Sequence, residues 1–223
     1  MIAGLISGRK KRLLRRNFEL SRCELAVVGG HQAKIQFDEG KHVQSCPDPL
    51  LALVAALPLA AAVPPRVGEK APDFALSTPE GKSVRLSEMV FKGPVVLVVL
   101  RGYPGYQCPY CNRQVQEFIQ KSQGFSDAGA HVMLVYPGPP QDLGARANEF
   151  LVGKKLPNNF DLMLDPGYTF TNIYGLRWDA AQETAYPSTI LIDRQGVVFF
   201  IKIVKEHGGR STAAEILDAL PKP

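Results

Sequence analysis

The run Pro94-Val95-Val96-Leu97-Val98-Val99-Leu100, followed shortly by Cys108-Pro109-Tyr110-Cys111, decides how this chain reads. A stretch of valine and leucine with no polar side chain is the signature of a strand buried on both faces of a sheet. A cysteine pair with two residues between, set where such a strand gives way to a helix, places the first sulfur at the helix N-terminus. There the unpaired backbone N–H groups and the positive end of the helix dipole favour thiolate over thiol. The second sulfur lies one turn further in, close enough to form a disulfide with the first. Pro109 suits an early helical position, because its missing N–H would have no intrahelical partner there.

Outward from this run, the punctuation is that of a compact α/β domain from Val67 to about Leu220. Phe74-Ala75-Leu76 and Val84-Arg85-Leu86 flank Pro79-Glu80-Gly81 and read as a hairpin. Asn112 to Ser122 reads as a helix with Val115 and Phe118 on one side. His131 to Tyr136 is a second buried strand, Gln141 to Lys155 a helix, Phe160 to Leu164 a short strand and Tyr168 to Tyr174 a short helix ended by Gly175. Ser188 to Ile192 and Val197 to Ile203 are strands hinged at Asp193-Arg194-Gln195-Gly196, and Ser211 to Leu220 is a closing helix capped by Ser211 or Thr212. The order β-α-β-α-β-β-α predicts a central mixed sheet flanked by helices, with an N-terminal hairpin added.

With 223 residues, 45% of them hydrophobic, the chain has room for one ordinary domain and an extension. The formal net charge of +5 owes much to Arg9, Lys10, Lys11, Arg12, Arg15, Arg16 and Arg22. No basic stripe with interleaved aromatics runs through the rest, which argues against a nucleic-acid partner. Residues 1–48 show no periodicity and read as a disordered or mis-started extension; Arg15-Arg16-Asn17-Phe18 is too far from the apolar stretch for a twin-arginine signal. From Pro49 to Val63 an uncharged run ending in Ala60-Ala61-Ala62 has the length and small-residue exit of a signal peptide. It is too short to span a bilayer comfortably. The expectation is therefore export, to a periplasmic or membrane-tethered location, with residues 64–223 as the working domain. A cytoplasmic location is the alternative if translation begins at Met1.

Of the four cysteines, Cys23 and Cys46 lie in the extension, so Cys108 and Cys111 are left as one motif. Half of a zinc site looks the same. No second C-x-x-C exists, however, and His31, His42, His131 and His207 show no ligand spacing, so no metal is expected. Three segments together carry a resemblance: Val67-Gly68-Glu69-Lys70-Ala71-Pro72-Asp73-Phe74, then Leu100 to Cys111, then Tyr186-Pro187-Ser188-Thr189-Ile190-Leu191-Ile192-Asp193. They resemble the redoxin group, which includes AhpC/TSA peroxiredoxin-like proteins and exported thiol oxidoreductases of the ResA/TlpA type. The resemblance covers nearly all of Val67 to Leu220 and implies a thioredoxin fold.

Two departures from that pattern bear on chemistry. Laying the P-x-x-x-T/S-x-x-C motif of peroxiredoxins on Pro104 makes Cys111 the peroxidatic position and puts Cys108 where the threonine would stand. Where those enzymes carry an arginine before the strand ending in Ile-Asp, this chain has Pro187. The resemblance implies that Pro187 acts as the cis-proline of thioredoxins does; the other reading is an ordinary strand-start proline. The arginine that would polarise a peroxide must then come from elsewhere, with Arg101 and Arg177 as candidates. Arg101 reads equally as a solvated strand-end charge. Trp178, the only tryptophan, lines the site by resemblance or packs in the core. Tyr103 and Tyr106 bracket the loop, Asp179 and Glu183 read as surface residues, and His207 as a solvated turn histidine or a general acid.

The expected activity is thiol-based. One cysteine attacks a peroxide or a disulfide, its partner closes an internal disulfide, and an external dithiol reductant of thioredoxin type resets the pair. Cys108 is the preferred attacker because a helix end exposes it, whereas the peroxiredoxin register favours Cys111. No cofactor is required, and no phosphate-cradling glycine loop is visible. The rivals are a protein-disulfide reductase without peroxidase activity and a non-enzymatic copper module of the Sco type. The latter departs from this chain in cysteine spacing and in the position of its histidine.

Overall fold

The computed structural model describes residues 62–222. The expectations for the N-terminal extension, the apolar run and its cleavage site fall outside the described residues. Seven strands and six helices follow in chain order among the described residues. β1 (Ala75–Ser77) and β2 (Ser83–Arg85) form the expected hairpin, and α1 (Leu86–Val90) follows at once. The sequence reading had run that strand on through Leu86; Leu86, Met89 and Val90 instead turn one face of a short helix into the core.

β3 (Val95–Val99) is the central strand and is buried throughout. It pairs in parallel with β4 (His131–Gly138) and antiparallel with β6 (Ser188–Ile192), in registers Val95↔His131 and Val95↔Ile192. β5 (Phe160–Pro166) runs parallel to β4, and β7 (Val198–Ile203) antiparallel to β6. The sheet order is β2-β1-β5-β4-β3-β6-β7, a mixed sheet closed at one edge by the hairpin.

The period of two along β3 sorts its side chains onto two faces. Val96, Val98 and Leu100 pack with α2 (Pro109–Gln120), α3 (Ser122–Asp127), α4 (Leu143–Leu151) and α6 (Ala213–Ala219). Val95, Leu97 and Val99 pack with α1 and α5 (Thr169–Ile173). Both cysteines belong to the first of these clusters. α2 buries Cys111, Gln114, Val115 and Phe118, the spacing of one helical face, and starts earlier than the sequence suggested because Pro109 can occupy its first position. Phe118 alone, fully buried and stacked on Phe125 at 5.3 Å, contributes about 1.5–3 kcal/mol by removal from water.

Two polar devices fix the loops. Thr212 caps α6, its Oγ1 accepting from Glu215 N–H at 3.1 Å. Buried Asp165 accepts from the N–H groups of Phe170 (2.8 Å) and Thr171 (3.0 Å) at the start of α5. No helix among the described residues is long and apolar enough to cross a membrane.

Candidate active site

The loop from β3 to α2 brings the sulfurs to the C-terminal end of the central strand. Its turn depends on Gly102, which sits at φ +62°; a Cβ there would lie 1.9 Å from the carbonyl oxygen of Pro137. Tyr103 N–H then donates to that same oxygen at 2.9 Å, tying the loop to β4. Pro104 is half-buried in this loop, next to Gly105 at φ +114°. Cys108 is the N-cap residue of α2 in extended conformation, and Cys111 lies one turn in.

Both thiols are free and buried, Cys108 with 1% of its surface exposed and Cys111 with none. The expectation that the helix end would expose Cys108 is corrected: the cap position turns its side chain into the core beneath the sheet end. The hydrogen bond from the Cys111 thiol, helped by the Cys111 N–H and the charge of Arg210, with a last, weaker pull from Arg101, outweighs burial and brings Cys108 down to about 5. Cys111 is pushed well above the ordinary thiol value, first by burial and then by its bond to Cys108. One sulfur is therefore held as thiolate and the other as thiol.

The guanidinium that faces both sulfurs is Arg210, which the sequence reading passed over. Its Nη1 lies 3.4 Å from Cys111 Sγ and its Nη2 3.7 Å from Cys108 Sγ. Nε donates to the carbonyl of His207 at 3.0 Å, and Nη1 also to Gln114 Oε1 at 3.3 Å. Gln114 in turn donates to Ser211 O at 3.1 Å, so α2 and the start of α6 hold the arginine from two sides. Its place in the chain, between a glycine pair and a helix cap, was visible; that this turn folds back onto α2 was not.

The two arginines singled out earlier are used differently. Arg101 is 2% exposed, not solvated; it is ion-paired with Glu183 and donates to Tyr106 Oη and Gln182 O, both at 2.6 Å. It assists Cys108 only as the last of several pulls. Glu183, expected at the surface, is 11% exposed and also meets His207 Nε2 at 2.9 Å. Its carboxyl stays below the usual range because Arg101 and His207 outweigh the burial that opposes ionisation. Arg177 does not reach the sulfurs. Its Nη1 donates to the carbonyls of Trp178, Glu183 and Thr184, and its guanidinium lies 4.0 Å from the Tyr168 ring centre. The loop carrying Glu183 is thereby pinned, and Asp179 is at its exposed tip.

Trp178 is half-buried, stacked on Tyr186 with ring centres 5.0 Å apart and 5.5 Å from the His207 ring. Tyr110, exposed between the cysteines, has its ring 6.3 Å from His207. The resemblance had Pro187 in cis; no peptide bond among the described residues is cis, so Tyr186–Pro187 is trans. Pro187 continues the β6–β7 ladder, its carbonyl accepting from Val204 N–H at 2.9 Å, while Tyr186 N–H reaches Leu176 O at 2.8 Å. Extended pairing on both flanks is compatible with the trans form that proline amides favour. Tyr136 reaches the site from β4 through Gln107, its hydroxyl donating to Gln107 Oε1 at 2.8 Å; burial raises its ionisation above the usual phenol range.

The family model described as AhpC/TSA family matches residues 67–201. The chain is similar to peroxiredoxin Q, chloroplastic, of Oryza sativa subsp. japonica, with 34% identity over 134 residues, 60% of this chain and 57% of that protein. It thus spans little more than half the length of that relative. It is also similar to thiol-disulfide oxidoreductase ResA of Halalkalibacterium halodurans, with 29% identity over 66% of this chain and 71% of that one. Among solved structures, a peroxiredoxin-like protein from Aquifex aeolicus superposes with a TM-score of 0.59 at 18% identity, covering 72% of this chain and 88% of that one. Peroxidoxin BcpB of Mycobacterium tuberculosis gives 0.54 at 22%, covering 70% and 94%. With the sheet order, the thioredoxin fold and a family match across most of the described residues, the chain belongs to the AhpC/TSA family.

Proposed function

We propose that this protein is a thiol peroxidase in which Cys108 attacks and Cys111 resolves. The geometry of the pair carries the reading: Arg210 faces both sulfurs, Cys108 at the cap of α2 is lowered by the Cys111 thiol and N–H, and fully buried Cys111 is pushed up. Cys108 thiolate attacks one peroxide oxygen; the O–O bond breaks, the leaving oxygen takes a proton, and Cys108 becomes a sulfenic acid. Cys111 then attacks the Cys108 sulfur, the S–S bond forms, and the hydroxyl leaves as water with the Cys111 proton. An external dithiol of thioredoxin type reduces the disulfide and closes the cycle.

Burial favours peroxide over a protein disulfide as oxidant. A sulfur with 1% of its residue surface exposed is reached only when neighbouring side chains move aside, and two small oxygens demand less movement than a polypeptide. Peroxide is favoured on that ground. The similarity to ResA supports protein-disulfide reduction as a second reading. A copper module is disfavoured because a guanidinium on both sulfurs repels a cation, and His207 is engaged with Glu183.

Mixing reduced protein, in a Cys23→Ser, Cys46→Ser background, with substoichiometric hydrogen peroxide tests the reading. Two thiols lost per peroxide within seconds is the expected result; unchanged thiols alongside rapid reaction with a protein disulfide would establish the second reading. The apolar run from Pro49 to Val63 supports an exported protein. Fractionation of cells making the native chain checks this, and recovery of the intact chain in the cytosol would count against it.

A further inference from the structure

Between the start of α2 and the turn before α6 lies a cleft of about 210 Å³, walled in part by Arg210, the residue that touches both sulfurs. Tyr110, Arg113, Gln114, Glu117, Arg210 and Ser211 are among its walls. Two positive charges and one negative charge line it, and the negative one is engaged: Glu117 Oε1 accepts from Ala213 N–H at 2.8 Å. Among the described residues neither arginine has a carboxylate within ion-pair distance. Arg113 is exposed, its guanidinium 5.7 Å from the Tyr110 ring centre. Arg210 spends four of its five N–H groups on His207, Gln114 and the two sulfurs and keeps one on Nη2.

The charge balance changes with oxidation state. In the reduced protein the Cys108 thiolate neutralises Arg210; once Cys108 and Cys111 form a disulfide, neither sulfur carries charge. The oxidised site then presents a half-buried guanidinium without a counter-ion, at the inner end of a cleft whose outer wall carries a second. We propose that this cleft is a subsite for the carboxylate of a small acid-bearing thiol that reduces the oxidised pair, in addition to any dithiol protein. The inference rests on the Cys108–Cys111 cycle. Arg113 and the remaining Nη2–H of Arg210 hold the carboxylate, and the thiol sulfur, a few bonds away, meets Cys108. The incoming thiolate attacks Cys108 Sγ, the S–S bond breaks, and Cys111 leaves and takes a proton. A second thiol attacks the mixed disulfide, releasing the symmetrical small disulfide and returning Cys108 as thiolate.

The test uses the full chain with Cys23→Ser and Cys46→Ser, oxidised by diamide so that no peroxide chemistry is involved. Return of the two thiols is timed with mercaptoacetate and with methyl mercaptoacetate at equal thiolate concentration, and the rate ratio is compared with that for hydroxyethyl disulfide, which is uncharged. The acid is expected to gain about fivefold over the ester relative to that control, the scale of one partly screened ion contact. In Arg113→Gln the gain should shrink to within twofold with the ester rate unchanged. A ratio equal to the control, or a preference indifferent to Arg113→Gln, overturns the subsite. A protein that does not lose two thiols to diamide would overturn the dithiol cycle itself, and the subsite with it.

Discussion

Cys108 and Cys111 are one helical turn apart, yet they ionise in opposite directions because the Cys111 thiol and N–H favour charge on the first, with Arg210 helping, while burial opposes it on the second. Alkylation of the reduced protein by iodoacetamide should therefore reach half its maximal rate near pH 5, far below the ordinary thiol value of 9.0. Arg210→Gln should raise that midpoint by about one pH unit. A wild-type midpoint above pH 8 would remove the activated thiolate from the account. Glu183→Gln leaves the buried Arg101 without its carboxylate and should cost about 3 kcal/mol in urea unfolding. The cysteines, and their place at a strand-to-helix junction, were legible because their chemistry is encoded in local spacing. Arg210 and Glu183 were not, because their roles come from side chains 99 and 82 residues away along the chain, and no local pattern announces such a contact.

Elements with a strong period or a strong cap were readable. β3 announced itself by its valines, and the turn before β7 by Asp193 and Gly196. α1 and α3 were missed, each being five or six residues long, too short for a helical period to show; α5, equally short, was read through the Gly175 that ends it. Thr212, read as one of two possible caps, is the residue that accepts from Glu215. Thr212→Ala should lower stability by about 1 kcal/mol in thermal unfolding. Because α6 begins three residues after Arg210, loosening its first turn should also raise the alkylation midpoint of Cys108; no movement of that midpoint would mean that the turn alone positions the arginine. In α2, Phe118→Ala should cost about 3–5 kcal/mol, the loss of a fully buried ring stacked on Phe125.

Across the whole molecule, redox state and stability are coupled. A thiol whose value falls on folding contributes stability that is complete above its unfolded value, about 9, and is lost as pH drops through about 5. Between pH 7 and pH 4 the reduced protein should therefore lose about 2–3 kcal/mol that the disulfide form does not, at 1.36 kcal/mol per unit. Paired denaturation curves of the two forms check this, and parallel curves would contradict it. The fold gathers both sulfurs, Arg210 and the Arg101–Glu183–His207 chain at one end of β3, as the proposed cycle requires. Which sulfur meets the oxidant is the central claim, and single-serine variants in the Cys23→Ser, Cys46→Ser background measure it most directly. Treated with hydrogen peroxide, Cys111→Ser should accumulate a dimedone-trappable sulfenic acid on Cys108, and Cys108→Ser should not react; a sulfenic acid on Cys111 in Cys108→Ser, with Cys111→Ser inert, would contradict it.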